Sequence, residues 1–282
     1  MMKILVTGVG GQLGYDIINI LQNRNIKCVS TGRQEFDITD FEQTQVFMKK
    51  EMPDTVIHCS AYTSVDKAED NVELCKAVNV GGTRNIAKVC NEIGAKMMYI
   101  STDYVFPGTG EEAYEVDDPK GPISVYGSTK LGGETAVKEL LKKYFIIRTS
   151  WVFGKNGNNF IKTMLRLGKE RSEVNVVCDQ IGSPTYTADL APLLCDMVMT
   201  EKYGTYHATN EGYCSWADFA AEIFRQAGYP TRVQFIPTSE YPTKAKRPLN
   251  SRLSKKSLDQ AGFQRLPTWQ SAVKRFVKEE NL

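Results

Sequence analysis

A chain of 282 residues with 41% hydrophobic and 24% charged residues has the composition of a globular protein, long enough for one large domain and a smaller lobe. A formal net charge of only +2 supplies no field for a nucleic acid or an anionic membrane surface, so neither partner is expected. Two histidines leave little from which to build a histidine-rich metal centre, and seven scattered cysteines without a CxxC pair suit reduced thiols better than disulfides.

The apolar start, Met1 to Thr7, is too short for a secretion signal, and no apolar run approaches the roughly 20 residues that span a bilayer. A cytoplasmic location is therefore expected. In the first half, Lys3–Thr7, Lys27–Thr31, Thr55–Cys59, Met97–Ser101 and Phe145–Thr149 read as buried strands. Between them, Gln12–Asn23, Phe41–Lys50, Asn79–Ile93 and Val125–Lys142 read as helices. This alternation predicts an α/β fold over residues 1–150, a doubly wound parallel sheet of the Rossmann type. After Trp151 the rhythm changes. Helical patterns at Phe160–Gly168, Ala188–Thr200, Trp216–Ala227 and Trp269–Glu279 alternate with short strands at Asn175–Cys178, Thr205–Ala208 and Val233–Ile236. Residues 151–282 are read as mainly a smaller α/β substrate-binding lobe over the sheet's C-terminal edge, with a soft boundary and interleaved segments.

Thr7-Gly8-Val9-Gly10-Gly11-Gln12-Leu13-Gly14 follows the first strand and opens the first helix, with the spacing Gly8-x-x-Gly11-x-x-Gly14. Such a turn lets the backbone approach a pyrophosphate, whose charge sits well at the helix N-terminus; it is a variant of the dinucleotide fingerprint. About 20 residues beyond the glycines an NAD site places an acidic residue for the ribose hydroxyls. Here Thr31-Gly32-Arg33 stands instead, and a guanidinium can pair with a 2′-phosphate. NADPH is thereby favoured over NADH, with Glu35 near enough to serve the opposite choice. Asp37 and Ile38 fall where an adenine would lie, although Asp37 fits a helix-start charge equally well.

Tyr126-Gly-Ser-Thr-Lys130 puts a phenol and an ammonium four residues apart on a helix, so both project from one face. The lysine is expected to lower the tyrosine pKa from its ordinary value of about 10, making the phenol a usable acid. Thr102, at the end of the fourth strand, can donate to a carbonyl oxygen as negative charge develops. With a nicotinamide supplying hydride, Tyr126 supplying the proton and Lys130 also holding the nicotinamide ribose, the set suits carbonyl reduction.

These residues resemble the extended short-chain dehydrogenase/reductase superfamily, and within it the chain is similar over essentially its whole length to the dTDP-4-dehydrorhamnose reductase family. The similarity is carried by Gly8–Gly14, Ala61–Asp66, Ser101–Phe106, Tyr126–Lys130, Arg148–Gly154, Asp179–Thr185 and Arg247–Ser251, the last three being the most selective. It implies NAD(P)H-dependent reduction of the C4 keto group of a dTDP-linked 4-keto-6-deoxysugar, giving dTDP-L-rhamnose, with Thr102, Tyr126 and Lys130 as the catalytic trio. It also implies a cofactor side made by Gly8, Gly10, Gly11, Gln12, Leu13, Gly14, Arg33, Asp37, Ile38, Ser60, Ala61 and Tyr62. On the substrate side, Val65 and Trp151 match positions that contact the deoxysugar and its 6-methyl group, beside Thr102 and Asp103. Arg247 falls in a loop suited to the nucleotide diphosphate, flanked by Lys244 and Lys246, while Gln180 and Thr185 shape the sugar pocket. Some family members form a homodimer around magnesium held by C-terminal carboxylates. Glu279 and Glu280 match by location alone, so magnesium is not assigned and no metal site is expected.

Two other readings stay open on the same motifs. An epimerase or 4,6-dehydratase keeps NAD tightly bound, and dehydratases typically follow the threonine with Asp-Glu; this chain has Thr102-Asp103-Tyr104. A non-catalytic regulatory subunit keeps the pocket without turnover, against which the intact Thr102, Tyr126 and Lys130 set argues.

Overall fold

The computed structural model describes residues 2–280. Its apolar runs form the strands β1 (Lys3–Thr7), β2 (Lys27–Thr31), β3 (Thr55–His58), β4 (Lys96–Thr102) and β5 (Tyr144–Thr149). They lie side by side in the order β2-β1-β3-β4-β5, every pair parallel. A parallel sheet needs helical crossovers, and these bury both of its faces. Helix α1 (Gln12–Asn23) covers one face, setting Leu13, Ile17 and Leu21 against Ile4, Val6, Met98 and Phe145.

On the other face, α2 (Phe41–Glu51) is followed by α3 (Val65–Ala68), α4 (Val72–Lys76), a π-turn at Ala77–Gly82 and α5 (Thr83–Ile93). The helix expected from Asn79 thus begins earlier and carries a wide turn at that residue, a distortion common at functional sites. Helix α6 (Val125–Leu140) completes the layer, with Val137 packed among Ile86, Tyr99 and Ile146.

The strand expected at Thr205–Ala208 belongs to this sheet and not to the smaller lobe. Gly204–His207 pairs in parallel with β5, and the helix Thr187–Val198 before it packs over α1. Tyr206 and Ala208 are buried with Phe145 there, and β5 gains a partner for backbone groups an edge strand would leave open. The division drawn at residue 150 is therefore crossed by this returning segment.

The second core is separate. Helices Phe160–Glu170, Trp216–Ala227 and Trp269–Glu279 bury Ile161, Leu165, Phe219, Phe224 and Phe276 beside a parallel pair formed by Glu173–Val177 and Arg232–Ile236. The strand order reverses between β1 and β3, the place where open α/β sheets bind ligands. Among the described residues no helix is long and apolar enough to cross a membrane.

Candidate active site

A cleft of about 1100 Å³ opens at the C-terminal ends of the strands, between the two cores. Its phosphate end is the turn after β1. Gly8 has φ of +71°, and a Cβ there would stand 2.7 Å from Ser60 N. A Cβ at Gly14 would stand 2.5 Å from Gly8 O, whereas one at Gly10 would meet nothing within 4 Å. The turn is thus closed toward the protein and open toward the cleft. Helix α1 starts here without a side-chain cap and without an acidic residue in its first turn, so its free N–H groups and positive end face a ligand. These features fit the diphosphate of a dinucleotide.

Arg33, Asp37 and Ile38 line the far end of the same cleft. Glu35 turns back, accepting from Gly32 N at 2.6 Å, and Asp37 Oδ1 accepts from Thr39 N and Oγ1 at 2.9 and 2.8 Å. Ser60 and Ala61 line the cleft; Tyr62 stands outside its lining. Instead, Asn79 in the π-turn accepts from Tyr62 N at 2.7 Å and donates to Tyr62 O at 3.2 Å, fixing that loop. The side chain of Gln12 is likewise used within the protein. Its Oε1 accepts from Gly154 N at 2.8 Å and Asn159 Nδ2 at 2.9 Å, and Asn156 Nδ2 donates to Gly10 O at 2.9 Å. These amides staple residues 154–159 onto the glycine turn, leaving Gln12 and Leu13 to meet a phosphate through their backbone.

Thr102, Tyr126 and Lys130 line one wall of the cleft. Ser124 caps α6 by accepting from Gly127 N at 3.1 Å, which sets the first turn carrying Tyr126. The Tyr126 ring packs edge-on to Tyr104, with centroids 5.5 Å apart at 75°. The expected lowering of Tyr126 by Lys130 is not what the site shows. Burial dominates at both groups and pushes Tyr126 above the ordinary phenol range, offset first by the neighbouring Thr102 hydroxyl. Lys130, buried, is pushed down to about 7, against which Glu134 acts. Its Nζ donates to Ile100 O at 2.7 Å and lies 4.1 Å from the centre of the Tyr99 ring.

Beneath this wall, Arg148 donates to Glu134 through Nε at 2.8 Å and Nη2 at 2.7 Å, while Ser101 Oγ adds a bond to Glu134 at 2.6 Å. Both charged side chains are fully buried. A fully bonded bidentate pair of this kind ties α6 to β4 and β5, and removing one partner would leave a buried charge unmatched.

Asp103 is also buried, accepting from Thr102 Oγ1 at 2.9 Å and from Ser251 Oγ. Burial pushes its carboxyl up to about 6, with the Ser251 and Thr102 bonds opposing. Because this pKa is above the unfolded value of 3.8, the group's contribution to stability is fully present below about pH 4 and is lost as pH rises through 6. A shift of that size corresponds to about 3 kcal/mol. Asp103→Asn is therefore expected to raise Tm over wild type at pH 8, with the difference about halved near pH 5 and closing below about pH 4; calorimetry across that range checks it.

Trp151 has φ of +47°, a left-handed conformation rare for a bulky residue outside strained sites. Its indole stacks on Trp216 with centroids 3.8 Å apart at 14°, and both rings line the cleft with Val65. Arg247 is not in the lining. It pairs bidentately with Asp66, Nη1 at 3.1 Å and Nη2 at 2.6 Å, and Lys244 pairs with Asp70, so this loop is tied to α3 and its neighbour. Gln180 donates to Thr238 Oγ1 at 3.1 Å. Glu279 accepts from Tyr186 Oη at 2.6 Å and Glu280 lies 3.8 Å from Lys162. Among the described residues no three His, Cys, Asp or Glu side chains are grouped to hold a metal ion. Cys59 lines the cleft, but burial pushes its thiol up to about 12 and removes it as a nucleophile. The sequence reading missed Thr63, Tyr104, Thr149 and Trp216, none of which carries a spacing signal of its own.

The family model described as the RmlD substrate binding domain matches residues 2–282. The chain belongs to that family. It is 39% identical to the dTDP-4-dehydrorhamnose reductase of Escherichia coli K12, covering 99% of this chain and 98% of the relative. It is 38% identical to the spore coat polysaccharide biosynthesis protein SpsK of Bacillus subtilis, covering 100% and 99%. The crystal structure of a dTDP-4-dehydrorhamnose reductase from Bacillus anthracis in complex with NADP superposes with a TM-score of 0.96 at 44% identity, covering 99% of this chain and 100% of that one. The α/β architecture is thus a family property, and the site above is read in that setting.

Proposed function

We propose that this chain is an NAD(P)H-dependent reductase of the C4 keto group of a dTDP-linked 4-keto-6-deoxysugar. The observation that carries the reading is the meeting of Thr102, Tyr126 and Lys130 on one wall of a cleft that also contains an uncapped, glycine-lined helix start. Full-length likeness to proteins named dTDP-4-dehydrorhamnose reductase supports the substrate class, and NADP bound to one of them supports the cofactor.

The backbone from Gly10 to Leu13 would hold the diphosphate, Arg33 a 2′-phosphate, and Lys130 the nicotinamide ribose. When bound, the dinucleotide supplies a hydride for the sugar's C4. Tyr126 donates its proton to the carbonyl oxygen, and Thr102, its hydroxyl turning away from Asp103, donates a hydrogen bond to that oxygen as charge develops on it. A phenol held above its ordinary pKa is fully protonated at neutral pH, as a proton donor must be. Trp151, backed by Trp216, and Val65 offer the apolar surface for the 6-methyl group. The Arg247–Asp66 pair gives that guanidinium a partner within the chain, and its role in this reading is to tie down the loop beside Val65.

Loss of absorbance at 340 nm with dTDP-4-dehydrorhamnose, run with NADPH and NADH in parallel, tests the reading. Rapid oxidation is expected. Cofactor binding without oxidation would overturn it, in favour of a tightly bound NAD enzyme or a non-catalytic subunit. In the same assay Arg33→Ala is expected to raise the KM for NADPH about 10-fold and leave that for NADH nearly unchanged, the loss of one charged phosphate contact.

A further inference from the structure

We propose that the Thr149 hydroxyl is a hydrogen-bonding contact for the carboxamide of the bound nicotinamide, an inference that rests on the cofactor reading above. Thr149 ends β5, is 4% exposed, lines the cleft, and has no hydrogen-bond partner for its Oγ1. A buried hydroxyl without a partner is unfavourable unless a ligand atom completes it. Among the described residues unpartnered hydroxyls also occur at Thr185, Thr187 and Tyr229, but none of these lines the cleft, so Thr149 is singled out by position. The next residue is already satisfied, since Ser150 Oγ donates to Ser183 O at 2.7 Å.

Register supplies the second argument. Thr149 is the direct parallel partner of Thr102, so the two side chains leave the same face of the sheet on adjacent strands. The cleft runs from Arg33 after β2, past the glycine turn after β1 and Ser60 after β3, to Thr102 and Thr149 after β4 and β5. A dinucleotide laid along that line, with its diphosphate at the glycines, brings its nicotinamide end to the last two strands. The polar substituent of that ring is the carboxamide. Thr149 is buried while Trp151 and Val65 are only half-buried, so it lies deeper in the cleft than the two side chains offered to the sugar's methyl group.

The test titrates NADPH, and separately 2′-phospho-ADP-ribose, which lacks the nicotinamide, into wild type, Thr149→Val and Thr149→Ser. Valine keeps the shape and removes the hydroxyl; serine keeps the hydroxyl. Thr149→Val is expected to bind NADPH about 5-fold more weakly, as for one neutral hydrogen bond. Its affinity for 2′-phospho-ADP-ribose should match wild type, and Thr149→Ser should restore most of the NADPH affinity. Equal NADPH affinity in wild type and Thr149→Val would overturn the proposal. So would an equal loss for both ligands, or a change confined to the KM of the sugar nucleotide. Wild type binding neither ligand would instead defeat the cofactor reading, and this proposal with it.

Discussion

Tyr126→Phe is expected to lower kcat by about 10³-fold while leaving NADPH affinity within about two-fold of wild type. The ring is half-buried and packs edge-on to Tyr104, contacts that phenylalanine retains, so the fold and the cleft should survive. What is lost is the proton. Thr102 cannot replace it, because a threonine hydroxyl is a hydrogen-bond donor and too weak an acid to give a proton away. Steady-state kinetics and an NADPH titration on the same preparation check the separation of rate from binding. A variant retaining more than about a tenth of wild-type turnover would remove Tyr126 from the acid role.

Lys130→Met is expected to lower kcat/KM by about 10²-fold, and, unlike the tyrosine variant, to weaken NADPH binding as well. Methionine fills the space of the buried lysine stem but leaves Ile100 O without its donor and the cofactor without a cation. The pH dependence separates these effects. Burial holds Lys130 at about 7 in the free protein, so the ammonium is present below that value and lost above it. An anionic cofactor favours the charged form. Wild-type NADPH affinity should therefore fall as pH rises through about 7 to 8, with proton uptake on binding, and Lys130→Met should lose that slope. Calorimetric titration in buffers of different ionisation enthalpy measures the proton uptake directly. A slope unchanged in the variant would assign the titration to another group.

The sequence determined by itself whatever depends on near neighbours. Apolar runs marked β1, β3, β4 and β5 because a strand buried on both faces needs an apolar stretch. Strand β2, expected to be buried as well, lies at the sheet's edge with only Thr31 buried. The glycine turn was legible because Gly8 and Gly14 stand where no side chain fits, and Tyr126 with Lys130 because a helix puts such a spacing on one face. Tertiary structure decided the rest, because its partners lie far apart in the chain. Gly204–His207 joins the main sheet across more than 50 residues from β5, which no local pattern encodes. Gln12 is stapled to Gly154 and Asn159, Arg247 is taken by Asp66, and Trp151 finds Trp216 only when the second core folds. The ionisation of Tyr126 and Lys130 was likewise beyond local reading: spacing says which groups can meet, but burial, a property of the whole fold, sets which charge each can carry.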